Sequence, residues 1–263
     1  MSKFLRVLAI GDVYGHPGRD ILKRFILDLK KKYNPSIIIV NGENAAHGRG
    51  ISPKIYEEII SLGIDVITLG NHTFDEEKVL EIIEKPEILV PYNYPDGTPG
   101  RKIFEFEYYG RKVKVLNLLG RLFMDDFRID DPFRKAIEVY EKDPDAIYIL
   151  DFHAEATSEK LAMGLFLDGK YSLVFGTHTH VQTADERIFP NGTAYITDIG
   201  MTGGLLSVIG ADYKVVIERF LYPHIKKKAE PSYLDLHIQG IYCEIDINTK
   251  KAYKIQRISV KNI

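Results

Sequence analysis

The sequence predicts an α/β fold in which two packed sheets have helices outside them. Three observations carry this prediction. Short apolar runs alternate with helical patterns in the first part of the chain, hairpin patterns dominate the later part, and polar side chains follow almost every apolar run. Alternating strands and helices followed by antiparallel hairpins are typical of sheets that pack against one another and against helices.

The first 83 residues follow the order strand, helix, strand, helix, strand, helix. Apolar runs at residues 4–10, 37–40 and 65–69 predict strands, and helical spacing of apolar residues covers 17–33, 53–61 and 74–83. Strands that are buried on both faces and alternate with helices form largely parallel sheets. Ligands of such sheets bind beyond the carboxyl ends of the strands.

The later part of the chain changes character. Runs at 147–151 and 173–175 predict two further strands. Three hairpins are predicted, which pair 103–108 with 113–119, 187–189 with 195–197, and 240–247 with 252–260. We expect one domain over residues 1–263, because a chain of this length can bury a single large core.

Composition limits the partners and the compartment. The chain has 35 Lys and Arg against 37 Asp and Glu, so no overall field attracts nucleic acid or an anionic membrane. RNA therefore stays an alternative partner that the net charge does not favour, and the run Lys226-Lys227-Lys228 is interpreted as a solvated loop, with nucleic-acid contact as the alternative. The single cysteine, Cys243, excludes an internal disulfide, and the apolar run at residues 4–10 is too short to span a membrane. We expect a cytoplasmic protein.

Potential metal ligands follow five of the predicted strands. They are Asp12, Glu43 with Asn44, Asn71 with His72, His153, and His178 with His180. Each has an ordinary structural explanation on its own, as a helix cap, a turn residue or a structural histidine. Together they would bury many polar groups at one edge of the sheets, which costs free energy unless the groups are paired. Such an edge is well suited to holding cations.

Two of these motifs, Gly70-Asn71-His72 and Gly176-Thr177-His178-Thr179-His180, resemble the signature of the calcineurin-like metallophosphoesterases. Two departures from that signature are Tyr14 in place of the first-motif histidine, and Gly42-Glu43 in place of Gly-Asp. With the stretches GDVYGHPGRD and NGENAAHGRGI, they make the chain similar to the YmdB-type family of 2′,3′-cyclic-nucleotide 2′-phosphodiesterases from residue 4 to about residue 260.

The resemblance implies a four-layer α/β/β/α metallophosphoesterase sandwich, in which two mixed sheets are flanked by helices. It also implies a homo-oligomer and two divalent metal ions. One ion would be bound by Asp12, Glu43, Asn44 and His180, and the other by Glu43, Asn71, His153 and His178. Asn44 would replace the ligand lost at Tyr14, and the Glu43 carboxylate would bridge two ions about 3.5–4 Å apart.

Oxygen and imidazole ligands without a thiolate suit Fe, Mn, Zn or Ni, and the resemblance favours Fe or Mn. Two divalent cations bring four positive charges, and Asp12 and Glu43 bring two negative ones, which leaves room for a bridging hydroxide and a phosphodiester anion. Such ions lower the pKa of bound water from about 15.7 to about 7. His72 is the candidate general acid for the leaving oxygen. The alternative is that His72 only orients Asn71 or the substrate.

Two further residues, His47 and Arg49, lie on the loop that follows Glu43 and are candidate substrate contacts, with a flexible surface loop as the alternative. The predicted activity is hydrolysis of 2′,3′-cyclic nucleotides, which are small-molecule phosphodiesters. Two alternatives are a phosphodiesterase or phosphatase of broader specificity, and a regulatory protein that senses a phosphate ligand or an RNA end with incidental turnover.

Overall fold

A computed structural model describes residues 3–124 and 128–261. Its strands are β1 (Phe4–Ile10), β2 (Asp12–Val13), β3 (Ile37–Asn41), β4 (Val66–Thr68), β5 (Ile88–Leu89), β6 (Ile103–Tyr108), β7 (Arg111–Leu119), β8 (Ile147–His153), β9 (Leu173–Thr177), β10 (Arg187–Ile188), β11 (Ala194–Ile196), β12 (Met201–Gly204), β13 (Leu236–Asp246) and β14 (Ala252–Lys261). Its α-helices are α1 (Gly15–Tyr33), α2 (Pro53–Ser61), α3 (Pro132–Lys142), α4 (Thr157–Phe166) and α5 (Tyr213–Leu221). Within the described ranges, no helix combines the length and the apolarity that a membrane crossing requires.

The first sheet has the strand order β2-β12-β13-β1-β3-β4-β5, and β14 pairs with β13. Strands β1, β3 and β4 are parallel neighbours, as the alternating pattern of the first 83 residues predicts, and the unpredicted strand β5 continues the parallel order. Strand β13 runs antiparallel to β1, with Phe4 opposite Asp246 and Ile10 opposite Gly240. The hairpin of β13 and β14 therefore completes this sheet from the far end of the chain.

The second sheet has the order β10-β11-β9-β8-β7-β6. Its four inner strands are parallel to one another, and each edge strand is antiparallel to the inner strand beside it. The other two predicted hairpins supply these edges. Both sheets are mixed, in agreement with the prediction.

Three hydrophobic clusters separate four layers. Ile21 of α1 and Ile59 of α2 pack on the outer face of the first sheet. Val139 of α3 and Met163 of α4 pack on the outer face of the second sheet. Between the sheets lies a third cluster that includes Cys243, and burial raises the pKa of its thiol. The order of layers is α/β/β/α, and the cysteine is part of the core.

The predicted helix at 74–83 is wrong. Only Glu77–Glu81 is helical there, and it is a 3₁₀ helix. Three-residue turns begin at Thr73, whose N–H donates to the Gly70 carbonyl at 3.2 Å. They continue to Ile82, whose N–H donates to the Val79 carbonyl at 2.9 Å. A period of three buries Val79 and Ile82 but leaves Leu80 61% exposed.

Candidate metal centre

The seven predicted metal ligands meet at the carboxyl ends of the strands. Those that follow the first sheet are Asp12 after β1, Glu43 and Asn44 after β3, and Asn71 after β4. Those of the second sheet are His153, which ends β8, and His178 and His180, which follow β9. The site therefore lies across the boundary between the two sheets.

One group of donor atoms surrounds the His153 Nε2 atom. The Glu43 Oε1 atom lies 2.9 Å from it, the Asn71 Oδ1 atom 3.0 Å and the His178 Nδ1 atom 3.0 Å. Two ligands at right angles, each about 2.1 Å from one ion, lie about 3 Å apart. Ligand atoms of Glu43, His153 and His178 all lie within 4.8 Å of one another, so this group fits a single metal ion.

A second group surrounds the Asn44 side chain. Its Nδ2 atom lies 3.3 Å from Asp12 Oδ1, 3.3 Å from Glu43 Oε1 and 3.2 Å from His180 Nε2. The amide oxygen is the atom that binds metals, so ligation by Asn44 requires its amide to turn over. Glu43 Oε1 contacts both groups, which is the position that a bridging carboxylate needs.

Burial and charge set the protonation of the site. Burial alone would raise the pKa of Asp12, but the neighbouring His180, together with His153 and His178, holds that pKa well below its usual range. Burial would also raise the pKa of Glu43, but His153 and His72 together lower it. Burial and the charge of His153 lower the pKa of His178 to about 3, so this imidazole is neutral and ready to bind a metal at pH 7.

His180 behaves differently from His178. Burial would lower its pKa, but the Asp12 carboxylate outweighs burial and raises the pKa to about 9. Its Nε2 atom lies 3.5 Å from Asp12 Oδ1. A cation that binds between these two groups would displace the imidazole proton.

Hydrogen bonds orient two of the imidazoles. His153 Nδ1 donates to Thr177 Oγ1 at 2.8 Å, and that hydroxyl donates to the buried Asp151 carboxylate at 2.6 Å. His180 Nδ1 donates to the Ile209 carbonyl at 2.8 Å. Both bonds leave Nε2 free to face the site. Neither acceptor is predicted from the sequence, because Asp151 lies within a predicted strand and a backbone carbonyl has no sequence signature.

The turn that carries His178 and His180 is anchored by a buried ion pair. Both histidines have positive φ, 94° and 64°, which is uncommon for residues other than glycine. Between them, Thr179 donates its N–H and its hydroxyl to Asp198 Oδ2 at 3.2 and 2.7 Å. Lys160 Nζ donates to the same oxygen at 2.8 Å, and both charged groups are buried. This network holds the turn in its unfavourable conformation.

His72 lies beside the ligands, with one fifth of its side chain exposed. Its backbone N–H donates to Glu43 Oε2 at 3.0 Å, and its Nδ1 atom is 2.8 Å from the Asp75 carboxylate. The other ring nitrogen, Nε2, is left on the side of Asn71, at 3.5 Å from Nδ2. Asp75 was not predicted, although its spacing of three residues from His72 is a signal that could have identified it.

Gly70 is needed for the site to close. A Cβ atom at this position would lie 2.2 Å from Glu43 Oε2 and 2.5 Å from His153 Nε2. No side chain can be accommodated there without moving both residues. The glycine of the Gly-Asn-His motif is thus explained by the close approach of the two sheets.

The donor groups open into a pocket of about 320 Å³. Tyr14 lines it at the place of the first-motif histidine, and its ring meets the edge of the His180 ring at a centroid distance of 5.6 Å. Arg49 lines this pocket, and its Nη1 atom is 3.7 Å from Asp75 Oδ2. His47 does not line it and instead lies in the adjoining cavity.

Comparison with known proteins gives one family. A profile of the YmdB-like protein family matches residues 8–258. The 2′,3′-cyclic-nucleotide 2′-phosphodiesterase of Bacillus subtilis (strain 168) is 48% identical over 98% of this chain and 98% of its own. A crystal structure of a phosphatase from Mycoplasma pneumoniae has 38% identity and a TM-score of 0.93, covering 99% of this chain and 95% of that one.

A more distant structure supports the fold alone. The NAD nucleotidase of Haemophilus influenzae is 14% identical with a TM-score of 0.64, and the match covers 99% of this chain but 56% of that one. By contrast, the family profile and the Bacillus subtilis relative both extend over nearly all of the present sequence. The chain is a member of the YmdB-like protein family.

Proposed function

We propose that the protein hydrolyses 2′,3′-cyclic nucleotides at the bond between phosphorus and the 2′ oxygen, with two divalent metal ions, Fe or Mn, as cofactors. The activity named for the Bacillus subtilis relative, which is 48% identical, supports this proposal. The observation that carries it is the position of Glu43, whose Oε1 atom contacts both the His153 group and the Asn44 group of donor atoms.

The protein would hold one ion with Asp12, Glu43, Asn44 and His180, and the other with Glu43, Asn71, His153 and His178. Two divalent ions at these positions would supply Lewis acidity to the phosphate and lower the pKa of bound water to about 7. Asp12 and Glu43 supply two buried negative charges, which favour binding of cations and leave a net positive charge for an anionic substrate.

The remaining step is a proton transfer. The oxygen of water forms a bond to phosphorus, the bond from phosphorus to the 2′ oxygen breaks, and the 2′ oxygen takes a proton. The products are a free 2′-hydroxyl and a 3′-phosphate. We propose His72 as the donor of this proton, because its Nδ1 atom is 2.8 Å from the Asp75 carboxylate, which orients the ring. Arg49 lines the pocket wall, which supports the proposal that it contacts the phosphate.

The test is His72→Ala. We expect the variant to keep both metals, because its seven proposed ligands are unchanged, and to turn over 2′,3′-cyclic AMP about 10²–10⁴-fold more slowly. A diester with a nitrophenolate leaving group needs little proton donation, so the loss on it should be much smaller. Equal losses on both substrates, with metals retained, would leave His72 a positioning role only.

The metals are tested separately. Protein purified without oxygen should contain Fe or Mn, and the stripped protein should regain turnover when either ion is restored. A protein without a bound transition metal and without metal-dependent turnover would contradict the proposed cofactors.

A broader phosphodiesterase or phosphatase is the second candidate. The pocket offers few groups that could read a base, since its apolar lining residues are Tyr14 and Ile209. Comparing kcat/KM for 2′,3′-cyclic nucleotides with different bases and for a simple aryl phosphodiester separates the two candidates. Similar values for all of them would favour the broader activity.

A further inference from the structure

The metal pocket is the first of three connected depressions. A second cavity of about 570 Å³ adjoins it and shares Tyr14, Gly48 and Arg49 with it. A third of about 330 Å³ shares Val216 and Arg219 of α5 with the second. We call the three together the track. It leads from the metal pocket across α5 to the segment that follows this helix.

The track carries positive charge at each connection. Arg49 lies between the first and second depressions, Arg219 lies between the second and third, and Lys228 and Lys226 line the second and third respectively. In the part of the chain that the structure describes, Arg219, Lys226 and Lys228 form no ion pair. These cations are concentrated locally although the chain has a net charge of −2.

Two acidic residues, Asp75 and Glu76, also line the second cavity. Asp75 is 2.8 Å from His72 Nδ1 and 3.7 Å from Arg49 Nη1, so it offsets the charge of Arg49. In the same cavity, Glu76 stands against two further cations, Arg219 and Lys228. Beyond the second cavity, the charged residues that line the third depression are Arg219 and Lys226. The positive charge therefore becomes more dominant with distance from the metal centre.

The third depression also presents an aromatic ring. Phe220 lines it and is 80% exposed, so its ring is accessible to a ligand. A basic groove with exposed aromatic rings is how proteins bind single-stranded nucleic acid, because the cations follow the phosphates and the bases stack on the rings. A mononucleotide with its one phosphate in the metal pocket would use Arg49 but would leave Arg219, Lys226 and Phe220 without a role.

We infer that the track binds the chain of an RNA whose 3′ end is a 2′,3′-cyclic phosphate. This inference rests on the proposed function and names its substrate class. The terminal cyclic phosphate lies at the metal centre, and the RNA continues from the 5′ oxygen of the terminal nucleotide along the second and third depressions. The reaction is unchanged, so water opens the ring and the product is RNA with a 3′-phosphate and a free 2′-hydroxyl.

The test compares 2′,3′-cyclic AMP with an oligoadenylate of about four nucleotides that ends in a 2′,3′-cyclic phosphate. We expect kcat/KM for the oligonucleotide to be about 10-fold higher or more, which is the order of effect that one or two stacked bases supply. This excess should fall as salt rises, whereas kcat/KM for 2′,3′-cyclic AMP should depend on salt less steeply.

Charge reversal locates the effect. The double variant Arg219→Glu/Lys228→Glu should lose the excess on the oligonucleotide and keep the wild-type kcat/KM for 2′,3′-cyclic AMP. For the oligonucleotide, the slope of log(kcat/KM) against log salt concentration should be shallower by about 1.4, since each lost contact with a single strand contributes about 0.7. Lys23→Glu/Arg24→Glu, on the exposed part of α1, makes the same change in net charge away from the track and should behave as wild type.

The outcomes are distinct. Equal kcat/KM for both substrates in the wild-type protein, the same loss in the control variant, or a loss on both substrates in Arg219→Glu/Lys228→Glu would overturn the inference. Binding of the labelled oligonucleotide, measured by fluorescence anisotropy, is independent of turnover. Suppose that metal-loaded wild-type protein binds the oligonucleotide, that Arg219→Glu/Lys228→Glu does not, and that neither substrate is hydrolysed. RNA binding by the track would then be supported and the proposed function would be contradicted.

Discussion

The two sheets contribute different chemistry to the same site. The first sheet provides candidate oxygen ligands from Asp12, Glu43 and Asn71, whereas the second provides candidate imidazole ligands from the ends of β8 and β9. The oxygen side carries the formal negative charge. The imidazoles are neutral when they bind a metal, and hydrogen bonds set their orientation. Neither side can bind two ions alone, so the site exists only where the two sheets are packed together.

The two sides are also held differently. On the oxygen side, the backbone of the strand ends fixes the ligands, as where the Glu43 N–H donates to Asn41 Oδ1 at 3.2 Å. On the imidazole side, each ring has its own partner, which is Thr177 for His153, Glu155 for His178 and the Ile209 carbonyl for His180. We therefore expect changes on the oxygen side to affect binding strength most, and changes behind the imidazoles to affect orientation.

The largest effect is expected from Glu43→Gln. The change keeps the shape of the side chain but removes one of the two negative charges among the proposed ligands, so at least one metal should be lost. Turnover should fall about 10³-fold or more, because charge stabilisation by the metals is worth several kcal/mol. Metal analysis and kcat measure both results. A variant with both metals and wild-type turnover would exclude Glu43 as the bridge.

The variants His178→Ala and His180→Ala test whether the two histidines belong to different metal positions. Each should reduce the metal content by about one ion per protein, at different positions, because the two rings belong to different donor groups. The difference can be read from the metal-dependent spectrum of the Fe-loaded protein. The control is His224→Ala, which changes an exposed histidine outside the site. Equal effects of all three changes would point to damaged folding instead of lost ligands.

A smaller effect is expected from Thr177→Val, which keeps the shape but removes the hydroxyl between His153 and Asp151. Loss of such a supporting group lowers metal affinity about 10–100-fold. Titration of the stripped protein with Mn²⁺ measures this. Thr157→Val, at the exposed start of α4, is the matched control. If Thr177→Val binds Mn²⁺ like the wild-type protein, the hydrogen bond does not orient the ligand.

The smallest effect concerns Ile209, whose carbonyl supports His180. Its φ is 46°, which is strained for a β-branched residue, and its side chain is 55% exposed. Asparagine tolerates this conformation, so Ile209→Asn should raise the free energy of unfolding by about 1 kcal/mol and the Tm by about 2–4 °C. Metal content should not change because the carbonyl remains. A lower Tm would mean that the isoleucine side chain stabilises the fold.

The sequence is sufficient for the strand ends and for the convergence of the candidate ligands, because strands buried on both faces give clear apolar runs and the polar residues directly follow them. It is insufficient for the partners of the ligands. Glu155 and Ile209 approach the imidazoles only after folding, and Asp198 with Lys160 forms a buried pair between distant segments. Sequence spacing contains no information on such contacts.

Secondary structure was also predictable only in part. The expectation of helices outside the second sheet did not locate α3, although Asp131-Pro132 is a good start signal and the Asp131 side chain accepts hydrogen bonds from the Phe133 and Arg134 N–H groups. Apolar spacing at 74–83 fits a period of three as well as one of 3.6, which explains the error there. The single domain, the homo-oligomer and the cytoplasmic location stay predictions.

The place of β13 has a consequence for the order of events during synthesis. The oxygen ligands are all translated by residue 71, but β1, the strand that precedes Asp12, gains its second neighbour only when residues 236–246 pair with it. In the nascent chain, Asp12, Glu43 and Asn71 therefore lie on an incomplete sheet until β13 has been synthesised. Long-range pairing of this kind slows folding. Tight metal uptake on the ribosome should therefore begin late, after β13 has emerged and inserted.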